Sequence, residues 1–308
     1  MKKNDKIYIA GHTGLVGSAV HRKLVNDGYK KIITKHHNEL DLTRQAAVED
    51  FFCKEKPDFT ILTAARVGGI YANNTYPAQF IYENLSIQNN VIHAAYLSGV
   101  QKLLFLGSAC SYPRECPQPM KEEYLLSGFL EPTNEPYAVA KIAGIKLCQA
   151  YNRQYGTNFI SAVPTNTYGP YDHFDTEDSH VIPALLRKFH DARMKSAADA
   201  TIWGTGTPLR EFIYVDDLAD ALLFLMNNYQ ESEIINIGAD SEISMRELAS
   251  IIKELVGFKG SIHFDTSKPD GAPRKTLDKT KLLGLGWHAT YSLTEGLGNT
   301  CQWFLKNF

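Results

Sequence analysis

Residues 6–18 read KIYIAGHTGLVGS, a short apolar run that breaks into spaced glycines and then resumes as an apolar, helix-compatible stretch. Lys6–Ala10 has the length and the Ile and Tyr content of a buried strand. Gly11, Gly14 and Gly17 form a GxxGxxG pattern that opens the first helix. Glycines let the backbone turn tightly and approach a pyrophosphate, whose charge the helix N-terminus stabilises. The same glycines also serve ordinary turns. Their place straight after the first strand, inside a strand–helix–strand unit, is what gives the pattern weight.

Outward from this stretch, short apolar runs alternate with helix-length amphipathic ones over about the first 165 residues. Strands are expected at Lys6–Ala10, Lys31–Lys35, Phe59–Ala64, Lys102–Leu106 and Phe159–Pro164. Helices are expected at Ala19–Asp27, Gln45–Lys54, Pro77–Ser98 and Tyr137–Tyr155, where apolar residues recur every three or four positions. That succession predicts an α/β fold with a doubly wound parallel sheet, the Rossmann architecture. From about Thr165 the sequence turns to loops rich in Gly, Pro and Asp, with a helix near Ile182–Arg193 and a run Glu211–Met226. The expected organisation is a dinucleotide-binding part, 1–165 with a return segment near 211–240, and a smaller discontinuous part, 166–210 with 241–308.

A chain of 308 residues with 44% hydrophobic and 21% charged residues can bury a sizeable core. Its formal net charge of -2 gives no footprint for nucleic acid or an anionic membrane. There is no apolar run of membrane-spanning length, and Met1–Asp5 leads directly into a strand rather than a signal-peptide core, so a cytoplasmic protein is expected. Cys53, Cys110, Cys116, Cys148 and Cys301 are scattered without zinc or disulfide spacing, which predicts reduced thiols and no metal.

A carboxylate ending the second strand would favour NAD, whereas a 2′-phosphate needs cations. Lys35-His36-His37 stands there, and Lys35 favours NADP(H); the histidines are equally compatible with a solvated loop. Tyr137 and Lys141 form a YxxxK pair on one helix face. A protonated Lys141 near the phenol would lower its pKa from about 10, making Tyr137 a proton donor to a carbonyl being reduced. Ser108 follows the fourth strand, at the carboxyl edge where such sheets place ligands. Glycine loop, serine and YxxxK in this order resemble an extended short-chain dehydrogenase/reductase.

Further blocks narrow the resemblance. GSACSYPRECPQPMKEEYLLSG at 107–128, EPTNEPYAVAKIAGIKLCQAYNRQYGTNF at 131–159, PTNTYGP at 164–170, SHVIPALLRKFH at 179–190, WGTGTPLREFIYVDDLADA at 203–221 and DTSKPDGAPRK at 265–275 are similar to the GDP-L-fucose synthase family. The resemblance covers nearly the whole chain. It implies inversion of C3 and C5 of a GDP-4-keto-6-deoxy sugar followed by NADPH-dependent reduction at C4. It assigns base and acid to Cys110 and His180, and reduction to Ser108, Tyr137 and Lys141. Implied cofactor contacts are Gly11, Thr13, Gly14, Leu15, Val16, Gly17, Lys35, Tyr137, Lys141, Pro164 and His180. Lys188, Arg210 and Lys275 are placed near the GDP phosphates, with Asn166, Trp203 and Asp270 lining the substrate site. A homodimer joined through sheet-flanking helices is likewise implied.

The chain departs from the family pattern at several points. Thr13 stands where an arginine facing the 2′-phosphate is expected, and Lys35-His36-His37 replaces arginines, which puts NADP selectivity in question. Ala109 replaces a serine, Ser111 an apolar residue and Thr167 a leucine, changes expected to touch the sugar wall. They leave open a 3-deoxy colitose-type or a 6-deoxy-heptose-type substrate, or reduction at C4 without full epimerisation. A dinucleotide-binding regulatory protein is the non-enzymatic alternative, against which the joint presence of Ser108, Cys110, Tyr137, Lys141 and His180 argues.

Overall fold

A computed structural model describes residues 1–175, 179–268 and 270–308; Pro269, inside the quoted block 265–275, lies outside the described residues. The chain begins with β1 (Lys6–Ala10), α1 (Leu15–Asn26), β2 (Lys31–Thr34), α2 (Gln45–Glu55) and β3 (Phe59–Leu62). α3 (Ile70–Thr75) and α4 (Pro77–Leu97) precede β4 (Lys102–Leu106), α5 (Glu135–Tyr155) and β5 (Phe159–Pro164). Next come β6 (Asn166–Tyr168), α6 (Val181–Met194), β7 (Asp199–Trp203), β8 (Leu209–Tyr214), α7 (Val215–Asn228) and β9 (Ile235–Ile237). The last stretch holds β10 (Glu242–Ser244), α8 (Met245–Val256), β11 (Ser261–Asp265), β12 (Arg274–Lys275), α9 (Thr280–Gly284) and α10 (Leu293–Asn307).

Six strands form one sheet in the order β2-β1-β3-β4-β5-β9, parallel throughout. Side chains alternate across it. Ile7 and Ile9 point to a core shared with Val20 and Leu24 of α1 and Leu218, Leu222 and Leu225 of α7. Tyr8 and Ala10 point to the opposite core, with Phe51 and Phe52 of α2, Val91 and Ile92 of α4 and Ile145 of α5. Burial of each such aliphatic or aromatic side chain contributes about 1.5–3 kcal/mol. Because helices cover both faces, β3, β4 and β5 are buried along their length, the reason their sequences are mainly apolar, with Thr60, Lys102 and Ser161 as the buried polar exceptions. Strand order reverses between β1 and β3, and the crevice outside the strands' carboxyl ends at that point is where such sheets bind ligands.

A smaller sheet joins β10, β8 and β12, with β6 beside β8, and β7 pairs with β11. Phe189, Phe212, Leu248, Ile252, Leu297 and Phe304 build a third core there. The run expected at Glu211–Met226 divides at Val215: the strand before it belongs to the smaller sheet, and the helix after it packs on the large one. α9 and Trp287, although from the C-terminal stretch, reach the first core, where Leu282 and Trp287 are buried.

Most element ends fall within a residue or two of expectation. α1 starts at Leu15, four residues before the expected Ala19, because Gly14 is extended (φ -78°, ψ 172°) and the chain turns helical directly after it. β2 stops at Thr34, leaving Lys35 outside the ladder, and β3 stops at Leu62. α8 and α10 were not read from the sequence although each opens on a capping box, Ser244 with Glu247 and Ser292 with Glu295. No helix among the described residues is long and apolar enough to cross a membrane.

Candidate active site

The turn after β1 is shaped by two close approaches. Gly11 has φ +91°, and a Cβ there would stand 2.7 Å from the Ala64 backbone. A Cβ on Gly17 would stand 2.0 Å from the Gly11 carbonyl oxygen. Neither position admits a side chain. Gly14 caps α1 without a side-chain hydrogen bond, so the first-turn amides of Leu15, Val16 and Gly17 are left as donors for an anion. Buried in the same turn, His12 Nδ1 has no partner among the described residues, and the His12 ring meets the His36 ring edge-on at 4.7 Å. Burial, reinforced by His36 and His21, holds the His12 imidazole below its ordinary value.

Lys35 is not a free cation. Its Nζ lies 3.4 Å from Glu39, whose other carboxylate oxygen accepts the His36 amide at 2.9 Å. A carboxylate therefore does stand near the β2 end, folded back onto it by the turn at 36–39, and Thr13 is exposed without adding a positive charge. Backbone donors, the glycine turn and an orphaned polar atom together fit a dinucleotide.

Ser108, Cys110, Tyr137 and Lys141 converge beyond the carboxyl ends of β4 and β5. Ser108 ends β4's extension and caps a single 3-10 turn, its Oγ accepting the Cys110 amide at 3.2 Å. Helix α5 carries Tyr137 and Lys141 one turn apart. α5 lies close enough to the sheet that a Cβ on Gly144 would stand 2.3 Å from the Phe105 ring. Lys141 is buried and donates to the Leu106 carbonyl at 2.8 Å. Burial pushes its ammonium down to about 7. It lies over the Tyr137 ring, 5.8 Å from the centroid. The phenol is accordingly not lowered in the chain alone. Burial raises it, the neighbouring Cys110 adds to the rise, and a hydrogen bond with Ser108 opposes it. Desolvation outweighs the lysine because the two groups share a dry site.

Cys110 Sγ accepts a hydrogen bond from Asn134 Nδ2 at 3.3 Å. His180 is the residue preceding α6, and its side chain is about half exposed. A polar neighbour is Asp172, 3.9 Å away; that carboxylate is 6% exposed, and its Oδ2 has no partner among the described residues. Asn134 and Asp172 were missed as site residues. Both stand in or beside the quoted motifs, but no spacing rule marks an Asn three residues before a Tyr or an Asp eight before a His.

Among the nucleotide-side expectations, Arg210 and Lys275 are parallel-paired neighbours on β8 and β12. Arg210 reaches the Leu209 and Ala272 carbonyls at 2.7 Å. Asp270 accepts from the Thr205 amide and hydroxyl at 2.9 and 2.7 Å, and so joins the two loops. Trp203, 71% exposed at the end of β7, lies beneath Lys268. Lys188 bonds the Thr201 carbonyl at 2.7 Å, tying α6 to β7. Asn166 donates to the Glu211 carbonyl at 3.0 Å, which holds the turn. Pro164 is buried in β5 against Ile237. One expected sugar-wall change is internal instead: Ser111 is fully buried, its hydroxyl without a partner among the described residues, whereas Thr167 is half-buried and bonds the Thr165 carbonyl.

A doubly wound parallel sheet with a glycine turn after β1 and a Ser–Tyr–Lys set after β4 defines a dinucleotide-dependent enzyme of the extended short-chain dehydrogenase/reductase class. The chain belongs to the NAD dependent epimerase/dehydratase family, whose profile matches residues 7–238. It is 58% identical to GDP-L-fucose synthase 1 of Arabidopsis thaliana over 305 residues, 99% of this chain and 94% of that protein. It is 53% identical to the GDP-L-fucose synthase of Escherichia coli strain K12, over 98% of this chain and 97% of that one. Among solved structures it is similar to the GDP-mannoheptose C4 reductase of Campylobacter jejuni with NADP bound. That match has a TM-score of 0.90 and 42% identity and covers 99% of each chain.

Proposed function

We propose that the chain converts GDP-4-keto-6-deoxy-mannose to GDP-L-fucose, inverting C3 and C5 and then reducing C4 with NADPH. The observation that carries this is the meeting of Ser108, Cys110 and Tyr137 at the carboxyl edge of the sheet that also carries the glycine turn, in a chain more than half identical over nearly its whole length to GDP-L-fucose synthases.

A ketone at C4 acidifies the hydrogens on both neighbouring carbons. Cys110 sulfur removes a proton from one face, and the enolate oxygen is stabilised by the Tyr137 and Ser108 hydroxyls. His180, exposed enough to be reprotonated by water, returns a proton from the opposite face, which inverts the centre. Bound NADPH supplies hydride to C4. Tyr137 gives its proton to O4, and Lys141, held by the Leu106 carbonyl, stands against the phenol ring as the neighbouring group able to exchange a proton near neutral pH. The first-turn amides of α1 hold the pyrophosphate, while Arg210 and Lys275, with Lys188, face the GDP phosphates.

The division into a cofactor-binding part, 1–165 with a return segment, and a GDP-sugar part is supported by the two sheets, with the return starting at Val215. A homodimer joined through sheet-flanking helices is supported by Tyr82 and Leu97 of α4 and Val139 and Tyr155 of α5, all exposed.

The test is reaction in heavy water with NMR of the product. Wild type should yield GDP-L-fucose deuterated at C3 and C5. Cys110→Ser should stop exchange yet leave some hydride transfer, and Tyr137→Phe should lose reduction by ~10²-fold or more. A wild-type product carrying no deuterium would make the protein a C4-reductase only.

A further inference from the structure

We propose that Asn134 is a positioning residue for Cys110, aiming its sulfur as the base of epimerisation with an amide donor whose hydrogen bond strengthens as the thiol gives up its proton. This rests on the reading of Cys110 given above. The residue before a helix is the place where Asn is favoured, because its side-chain oxygen accepts an amide of the first turn. Asn134 occupies that place on α5 and makes no such bond. Part of the reason is covalent: the second helical residue is Pro136, which has no N–H to offer. The side chain is turned instead to Cys110, Nδ2 to Sγ at 3.3 Å.

A thiol sulfur accepts weakly and a thiolate strongly, so an amide donor at this distance favours the charged form. The N-terminus of α5 adds a positive partial charge on the same side. The turn is rigid: Glu131 accepts the Thr133 amide and hydroxyl, Asn134 donates its amide to the Glu131 carbonyl at 3.1 Å, and Pro132 and Pro136 flank it. Asn134 Oδ1 is buried with no partner among the described residues. An amide that neither caps its helix nor satisfies its own oxygen is kept there for the sulfur. Tyr137, on the same helix, faces Cys110 as well; burial raises the phenol, and the neighbouring sulfur adds to the rise.

The test uses the full chain without substrate. Alkylation of Cys110 by iodoacetamide is followed by site-resolved mass spectrometry, with exposed Cys53 as internal reference. Asn134→Leu should slow alkylation of Cys110 about 10-fold near pH 7, with recovery as pH is raised, while NADPH affinity stays unchanged. Asn134→Asp keeps a good helix-capping residue but replaces the donor with an anion, and should slow alkylation at least as much. Deuterium incorporation at C3 and C5 should fall by a similar factor in both variants. Unchanged or faster alkylation in both variants would overturn the proposal. If Cys110→Ser exchanges deuterium at the wild-type rate, the reading of Cys110 as base fails, whatever the alkylation shows, and the proposal falls with it.

Discussion

Two buried lysines show how a single ammonium is held inside this molecule. Lys102 on β4 donates to the carbonyls of Leu225, Met226 and Tyr229 where α7 ends. Lys141 donates to the Leu106 carbonyl. Burial brings the first down to about 8 and the second to about 7. In the unfolded chain both keep their protons to about pH 10.5. Between the folded and unfolded values the unfolded state binds more protons, so stability from these groups rises with pH in that window. Lys102→Met should therefore lower the slope of unfolding free energy against pH, between about 8 and 10, by about 1 kcal/mol per pH unit. Urea unfolding across that range measures it; an unchanged slope would mean that Lys102 keeps its proton when folded.

The turn that follows β2 decides how the cofactor's adenosine end is met. Lys35 and Glu39 pair four residues apart, and Glu39 is held below the ordinary carboxylate range by the His36 amide and by Lys35. An anion so placed opposes a 2′-phosphate through solvent, over a distance that salt screens. Glu39→Gln should strengthen NADPH binding severalfold at low salt and leave NADH binding unchanged, with the gain shrinking as salt is raised. Nucleotide fluorescence titration reads both. Equal NADPH affinity in variant and wild type would show that Glu39 stays folded onto Lys35 and does not oppose the phosphate.

The large and small sheets are joined at Glu211. Its carboxylate, 3% exposed, accepts the amides of Ala239 at 2.7 Å and Leu277 at 3.1 Å, while its carbonyl accepts from Thr165 and Asn166. Burial raises the carboxyl, and the two amides pull it back. Removing one partner leaves buried donors unpaired, at about 1–3 kcal/mol. Glu211→Ala should destabilise the protein by that order and speed amide exchange at Ala239 and Leu277, ahead of the centre of the large sheet. Glu211→Gln, which keeps an acceptor, should lose less. Uniform exchange throughout the Ala variant would show that the two sheets unfold as one unit with or without this contact.

Five of the large sheet's six strands were legible in the sequence because short apolar runs alternate there with amphipathic helices; β9, three residues long, was not. Two local periodicities, read in alternation, are enough to specify that arrangement. The glycine turn, Ser108 and the Tyr137–Lys141 pair were legible for the same reason, since each lies at a fixed offset from a strand or on one helix face. The smaller sheet was not, because its strands are short, come from distant parts of the chain and carry no period long enough to read. Nor could the sequence show that Lys35 would be met by Glu39, that Ser111 would turn inward, or that burial would outweigh Lys141 at the phenol. The diversion of Asn134 from its helix to a sulfur 24 residues away was equally beyond it. Those outcomes depend on which groups share a dry volume, and that is decided by packing between segments distant in the chain.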